Sequence, residues 1–228
     1  MNRSRTIATA LLITTLFLSA SRTDYMTELA EVTRLNASEI TELEIEDRRL
    51  YLMSPLNSKT FGQVTLAFER QPEIDTLVLT AMPGSVDDET TFKMARWLRD
   101  KGIKTHLLSR SVIASGAVDL FLAGTERTAE VGAQLGVHSW SDGRQDAKDL
   151  SRDHGGHQLN ASYVEAMLGE DAFYWYTIDA APSEELHWLG RAEVAEFSLL
   201  TSPWLEPSND PTPFGGKFSE MRAALLED

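Results

Sequence analysis

Short apolar runs and amphipathic stretches follow one another along the chain, and they predict strands and helices in alternation. Residues 74–79 form the clearest strand candidate, because β-branched and aliphatic side chains stand between Pro72 and Pro83. Residues 104–108 and 135–138 are predicted as two further strands, with helical patterns between them. This alternation predicts a layered α/β domain with a largely parallel sheet, rather than a helical bundle or a β-sandwich.

The best-defined helix lies between the first two of these strands. Acidic residues from Asp87 onward favour the positive end of a helix dipole, and Arg99 falls in the last turns before Gly102. Further helices are predicted at residues 114–122 and 158–168, with a final strand and helix within residues 186–197.

The two ends of the chain differ from its middle. Arg3 and Arg5 precede an apolar run that ends at Ala20, which is the layout of a secretory signal peptide. We divide the chain into a signal peptide (1–20), a linker (21–47), one α/β domain (48–202) and a C-terminal extension (203–228) that is either an ordered wrap or loose. A periplasmic or secreted protein is expected, without stable membrane insertion once the leader is removed. An uncleaved N-terminal membrane anchor is the alternative, because Leu18 stands where a small residue is usual.

Charge and cysteine content narrow the function classes. The formal net charge is -14, and loss of the predicted leader, which carries two arginines and no acidic residue, would make it more negative. Such a chain is not attracted to polyanions, so no nucleic-acid partner is expected. Because the chain has no cysteine, disulfides, thiol nucleophiles and thiolate metal sites are excluded. Covalent catalysis would need an oxygen or nitrogen nucleophile.

Three residues with catalytic potential stand near the ends of the predicted strands. Gly84 lies in the turn after the first strand, Ser115 is at the start of the helix after the second, and His138 ends the third. The carboxyl ends of parallel strands meet at one edge of a sheet, where α/β folds place their sites. A serine nucleophile needs an adjacent base and donors for the developing oxyanion. The sequence therefore predicts a serine-centred site at this edge.

The motifs around these positions resemble those of the Clp protease proteolytic subunit and its crotonase-superfamily relatives. In that family a glycine turn follows a strand, the nucleophile opens a helix, and the base follows after an Ala-Gly element. The matching stretches here are Gly84-Ser85-Val86, Ala114-Ser115-Gly116-Ala117, Ala123-Gly124 and Gly136-Val137-His138, with 23 positions from Ser115 to His138. Residues 135–140 and 173–189 also resemble uncharacterised exported bacterial proteins of this fold.

The resemblance implies a ClpP/crotonase-like layered fold of repeated β-β-α units. It makes Ser115 the nucleophile and His138 the general base, and it makes the backbone N–H groups of Gly84 and Gly116 the oxyanion hole. Pro83 replaces the first glycine of the family's pair, which removes one N–H beside the predicted substrate groove. The implied activity is that of a serine hydrolase, with a peptidase expected.

For the third catalytic residue the resemblance indicates Asp179, with Glu184 and Glu185 as competitors. Such an acid would hold the imidazole tautomer and stabilise the imidazolium. The implied substrate is a peptide or a small ester or amide, and no metal or organic cofactor is expected. Members of this fold assemble into rings or trimers, so a homo-oligomer is implied.

Alternative interpretations remain open at this stage. A catalytically silent protein of the same fold would bind a peptide or a partner protein, and acyl-CoA binding is opposed by the acidic charge balance. His154 and His157 have a spacing found in metal sites, but Gly155 and Gly156 between them favour a solvated loop, and no metal is assigned. The four aromatic residues at 173–176 are expected to supply core or interface area.

Overall fold

The computed structural model describes residues 41–209 and 213–226, and within them seven strands form one mixed sheet. The strands are β1 (Glu42–Glu46), β2 (Arg49–Met53), β3 (Thr76–Met82), β4 (Lys104–Ala114), β5 (Arg127–Ala129), β6 (Gln134–Val137) and β7 (His187–Trp188). Their order is β1-β2-β3-β4-β6-β7, and β5 also pairs with β4. The central strands are parallel, and β1 and β7 are antiparallel edges. The predicted α/β fold with a largely parallel sheet is confirmed.

Helices fill the connections between the strands. They are α1 (Thr60–Arg70), α2 (Asp88–Asp100), α3 (Gly116–Leu122), α4 (Gly155–Leu168), α5 (Ala172–Ala180), α6 (Arg191–Glu196) and α7 (Gly215–Leu226), with a short 3₁₀ helix at Ala147–Asp149. Asp88 and Glu89 lie in the first turn of α2, as expected. The helix is capped by the Asp87 carboxylate, which accepts a hydrogen bond of 3.0 Å from the Thr90 N–H.

Strand β4 extends beyond the predicted residues 104–108, and its pairing with β3 is interrupted in the middle. Leu79 pairs with Leu107, but Ala81 pairs with Val112, so residues 108–111 stand opposite a single residue of β3. The Ser111 hydroxyl closes this irregularity by donating to the Leu79 carbonyl at 2.6 Å and accepting from the Leu108 N–H at 3.0 Å. The buried backbone groups therefore keep hydrogen-bond partners.

The irregularity divides β4 into two halves with different neighbours. The first half pairs with β5, where Leu107 stands beside Ala129, and the second half pairs with β6, where Val112 stands beside Gln134. The end of β4 is thereby carried to the strand that leads to His138. This geometry brings the predicted nucleophile and base to one edge of the sheet.

Both faces of the sheet are buried, as the alternation along β2 illustrates. Leu50 and Leu52 belong to the main core beneath the helices, whereas Tyr51 and Met53 point to the opposite face. That opposite face is covered by α7, which places Phe218 and Leu225 there.

Within residues 203–209 and 213–226, the C-terminal extension is an ordered wrap rather than a loose tail. Leu205 donates its N–H to the Ala129 carbonyl at 2.9 Å, so the chain runs along β5 after residue 203. Phe218 of α7 is buried, and Lys217 reaches Glu42 of β1 at 2.6 Å. Residues 213–226 thus belong to the same folded unit as the sheet.

Two predictions need correction, and one lies beyond the described residues. The last part of the predicted linker is β1, because Glu42–Glu46 pairs along its whole length with β2. His154 and His157 do not form a solvated loop, because His154 caps α4 and His157 is buried within it. The predicted signal peptide at residues 1–20 lies outside the described residues. None of the helices within 41–209 and 213–226 is long and apolar enough to cross a membrane.

We expect Phe218→Ala to lower the free energy of unfolding by about 3–5 kcal/mol, because it leaves a cavity between α7 and the sheet. Urea denaturation of the full chain measures this loss. The matched control is Ser219→Ala, an exposed neighbour on α7, which should change stability by less than about 0.5 kcal/mol. Equal effects of the two substitutions would contradict the packing of α7.

Candidate active site

Ser115 occupies a sharp turn between β4 and α3. Its backbone angles are φ 51° and ψ -131°, in a region that residues other than glycine rarely adopt. The turn is fixed from both sides: the Ser115 N–H donates to the Gly136 carbonyl at 3.0 Å, and the Ser115 carbonyl accepts from the Val118 N–H at 2.7 Å. Backbone strain of this kind collects at functional sites, and a strained strand-to-helix turn exposes a serine hydroxyl.

Two glycines allow the turn after β3 to approach Ser115 closely. Gly84 has φ 138°, and a Cβ atom there would lie 3.0 Å from the Ser115 Cβ and 3.4 Å from its Oγ. A Cβ atom on Gly116 would lie only 2.5 Å from the Ser85 Cβ, which is a severe overlap. The two turns can pack together only because both positions lack side chains.

The same two glycines leave backbone donors beside the Ser115 hydroxyl. Gly116 is the first residue of α3, where an N–H has no partner inside the helix. Within the part of the chain that the structure describes, neither the Gly84 nor the Gly116 N–H donates to another backbone carbonyl. Both groups therefore remain free to donate to a substrate oxygen next to Ser115.

His138 follows β6 and is held in one orientation by the backbone. Its Nδ1 lies 2.8 Å from the Ser139 carbonyl oxygen. A carbonyl can only accept, so Nδ1 carries the proton and Nε2 is the basic nitrogen. This hydrogen bond fixes the tautomer, which is the role that a carboxylate fills in a Ser-His-Asp triad.

Burial lowers the pKa of His138 below the ordinary value of 6.5. The Ser139 carbonyl, the negative charge of Asp146 and a backbone hydrogen bond with Ser183 oppose this effect in part. Burial alone would raise the pKa of Asp146, but hydrogen bonds from the Ser139 hydroxyl, the Ser183 N–H and the Lys148 N–H outweigh it and lower that pKa. At neutral pH the pair is therefore a neutral imidazole near an ionised carboxylate.

A narrow cleft opens beside these groups. Its lining consists of Asp88, Ser115, Gly116, Val118, Asp119, Val137, His138, Trp140, Asn160, Val164, Phe173, Tyr174 and Thr177. Its enclosed part has a volume of about 50 Å³, several times the space that one water needs.

Ser115 and His138 line this cleft together but are not hydrogen-bonded to each other. No hydrogen bond joins their side chains, and among the described residues the Ser115 hydroxyl has no hydrogen-bond partner. Catalytic hydrogen bonds are often long in structures without substrate and tighten in the complex. The Ser115 hydroxyl, the His138 imidazole and Gly116 thus line one space, and Gly84 packs against Ser115 beside it.

The predicted third residue lies elsewhere. Asp179 is exposed on α5 and does not line the cleft, and Glu184 and Glu185 are exposed in the following loop. The carboxylate whose charge acts on His138 is Asp146, in the polar segment that the sequence analysis left without a role. Nothing in its spacing marked it, because its partners Ser139 and Ser183 are brought to it by folding.

The aromatic wall of the cleft was only partly anticipated. The Tyr174 hydroxyl, on α5, accepts from the Trp140 Nε1 at 3.0 Å and lies 2.6 Å from the His157 Nδ1. His157 is thus a buried partner of Tyr174. No cluster of potential metal ligands occurs within residues 41–209 and 213–226.

Asp88 and Asp119 are two acidic residues of the cleft that the sequence analysis missed. Asp119 lies on α3, four positions after Ser115, and therefore on the same face of the helix. Asp88 begins α2 and interacts with the Ser85 hydroxyl. The helical spacing from Ser115 to Asp119 was a usable signal, since both residues precede the apolar end of α3.

The fold and the arrangement of turns define an α/β protein with a ClpP-like fold. ClpP1 from Listeria monocytogenes has a similar solved structure, with a TM-score of 0.50 and 15% sequence identity over 71% of this chain and 93% of that chain. A mutant of the same Listeria protein matches with a TM-score of 0.50, 13% identity and the same coverage. No protein-family model matches the chain, and no curated protein does. At this identity the similarity shows the fold alone.

We expect Gly116→Ala to lower the free energy of unfolding by about 1–3 kcal/mol, because the new methyl group overlaps Ser85 and forces the two turns apart. Its matched control is Gly62→Ala on α1, where a Cβ atom meets nothing within 4 Å and alanine can add up to about 1 kcal/mol of helix stability. Thermal or urea unfolding measures both. Parent-like stability of Gly116→Ala would show that the turns are not tightly packed.

The lowered pKa of His138 predicts that its imidazole stays basic below pH 6.5. Reaction of Ser115 with a phosphonate probe should therefore fall off only at a pH below 6.5. Asp146→Asn removes a charge that stabilises the imidazolium, so it should shift this fall to still lower pH. Asp179→Asn is the control and should leave the profile unchanged. A shift produced by Asp179→Asn and not by Asp146→Asn would overturn the assignment of Asp146.

Proposed function

We propose that this chain is a serine hydrolase, acting as a peptidase through Ser115 with His138 as its general base. The observation that carries the proposal is that Ser115, His138 and Gly116 line one cleft, while Gly84 packs directly against Ser115. The ClpP-like fold supports it as analogy, because function belongs to sites and not to folds.

The proposed reaction is acyl transfer in two steps. The Ser115 Oγ attacks the carbonyl carbon of a peptide, ester or amide while the His138 Nε2 takes the hydroxyl proton. The carbonyl oxygen becomes an oxyanion that accepts hydrogen bonds from the Gly84 and Gly116 N–H groups. His138 then gives its proton to the leaving amine or alcohol, which leaves an ester on Ser115. Water attacks that ester with His138 again as the base, His138 returns this proton to the Ser115 Oγ as the ester bond breaks, and the acid product leaves.

The support for His138 differs from that in a complete triad. Its Nδ1 proton is held by the Ser139 carbonyl, and the Asp146 charge acts on it without a direct hydrogen bond. A carbonyl dipole stabilises the imidazolium less than a contacting carboxylate does. We therefore expect turnover that is slower than that of a complete triad, with the same division of roles.

The same proposal includes the location and the assembly of the chain. The leader-like residues 1–20 support export to the periplasm or beyond, with no stable membrane insertion after cleavage. The ClpP-like fold supports a homo-oligomer. Neither metal nor organic cofactor enters the proposed steps.

A second candidate is a catalytically silent protein that binds a peptide or a partner in the same cleft. The observation that favours it is the missing hydrogen bond between Ser115 and His138. Pro83, which lacks an N–H beside the Gly84 turn, also removes one donor for an extended peptide.

A fluorophosphonate probe separates the two candidates, because it reacts only with an activated serine. We expect the full chain to be labelled, and we expect Ser115→Ala and His138→Ala each to abolish the labelling. The matched controls are Ser162→Ala and His154→Ala, which change exposed residues of the same types.

The controls should label like the parent. Circular dichroism of every variant confirms that a loss of labelling is not a loss of fold. A folded parent that never labels would make the silent binding protein the better description.

A further inference from the structure

The cleft beside Ser115 contains an acidic group with no role in the proposed acyl transfer. Asp119 lies on α3, one turn after Ser115, and both residues line the cleft. Its backbone carbonyl accepts from the Tyr163 hydroxyl at 2.6 Å, but in the part of the chain that the structure describes its carboxylate has no hydrogen-bond partner. The carboxylate is thus available to a group that enters the cleft.

A second carboxylate stands next to it. Asp88 also lines the cleft, at the start of α2, and its Oδ1 would be 3.4 Å from a Cβ atom on Gly116. Desolvation, and then repulsion from Asp88, raise the pKa of Asp119 to about 8. Desolvation also raises the pKa of Asp88. Both raised pKa values mean that the surrounding protein stabilises the negative charge of these two carboxylates poorly.

Positive side chains nearby are engaged elsewhere. Arg99 donates to the carbonyls of Leu122 and Ala123, and Arg96 lies over the Tyr163 ring, 5.6 Å from its centre. Within residues 41–209 and 213–226, no lysine or arginine forms a salt bridge with Asp88 or Asp119. The cleft therefore lacks a cation of its own.

The other residues that line the cleft indicate which kind of substrate group could bind beside Asp119. Val118, Val137 and Val164 supply apolar walls, and Phe173 closes one side. A linear aliphatic chain that ends in a positive charge would pack its stem on these walls and place its charge against the carboxylate.

We propose that the Asp119 carboxylate binds a cationic group of the substrate, so that the cleft selects acyl groups that carry a linear terminal ammonium, as lysine does. The proposal rests on the proposed hydrolase function of Ser115 and adds a substrate class to it. Asp119 is a specificity-determining residue in this scheme, and Ser115 and His138 carry out the chemistry. Asp88 adds negative potential at the mouth.

The test compares two esters that differ only in a terminal ammonium group. The p-nitrophenyl esters of N-acetyl-lysine and N-acetyl-norleucine have side chains with the same linear four-carbon stem, and only the first carries an ammonium at its end. We expect the full-length parent to hydrolyse the lysine ester with a kcat/KM at least about tenfold higher. We expect Asp119→Asn, which keeps shape and removes charge, to lose about this factor, since a charged hydrogen bond in a cleft contributes that much.

Glu165→Gln is the matched control for the loss of one negative charge. Glu165 is exposed on α4 and does not line the cleft, so the preference for the lysine ester should stay at the parent value. An equal fall in Glu165→Gln and Asp119→Asn would mean that only the overall charge matters, which overturns the proposal. An unchanged preference in Asp119→Asn overturns it as well.

The charge of Asp119 also sets the direction of a pH effect. Because its pKa is about 8, the carboxyl gains its negative charge as pH rises from 6 to 9, and the preference for lysine should increase over that range. The other titratable or charged groups that face this region are Asp88, Arg96, Arg99, His138, Tyr163 and Tyr174. The norleucine ester corrects for their effect on the chemical step, and a ratio that does not change with pH would contradict the proposal.

Failure of this proposal is distinguishable from failure of the hydrolase function. A parent that labels with the neutral phosphonate and cleaves both esters equally is a hydrolase without the cation site. If the parent neither labels nor cleaves, calorimetric binding of N-acetyl-lysine amide to the parent and to Asp119→Asn decides the question. Binding that is lost in the variant supports the cation site without catalysis, and no binding to the parent overturns it.

Discussion

The Ser111 hydroxyl closes the irregularity in β4 on which the position of the whole cleft depends. By bonding to the Leu79 carbonyl it supplies a partner that a regular strand would have provided, and the end of β4 can leave β5 for β6. Ser115 then stands beside Gly136, two positions before His138. In an uninterrupted strand these residues would be out of register, and the hydroxyl and the imidazole would not share a space. The position of the cleft therefore depends on the buried hydrogen bond from the Ser111 hydroxyl to the Leu79 carbonyl.

Local signals made part of this arrangement predictable. Proline and glycine bound β3, acidic residues begin α2, and the spacing between Ser115 and His138 follows the motifs of a known family. β1 also had a local signal, because glutamates alternate with Leu43 and Ile45 at the period of a strand. Its high acidity concealed this pattern, since an edge strand with one solvated face can carry many charges.

Long-range contacts set the limit of what the sequence could reveal. Asp146 gains its place from the Ser183 N–H, 37 positions away, and no spacing rule joins the two. The docking of α7 depends on Phe218 and Leu225 meeting the far face of the sheet, while the prolines before it resemble those of a loose tail. Asp179 was chosen by its order along the chain, but order does not fix the direction of a side chain on a helix.

Two groups of opposite electrostatic effect lie close together at the cleft, namely backbone N–H donors and carboxylates. In the proposed mechanism the Gly84 and Gly116 N–H groups favour negative charge on a substrate oxygen, whereas ionised Asp88 and Asp119 would disfavour it. Two unit charges 4 Å apart interact by about 4 kcal/mol at an effective dielectric constant of about 20, so such repulsion is comparable to the benefit of an oxyanion hole. Protonation of Asp119 or a cation on the substrate relieves it. A bound ammonium would do more than recognise the substrate, because its charge offsets the carboxylates at the moment when the oxyanion forms. Substrate selection and transition-state stabilisation would then depend on the same positive charge.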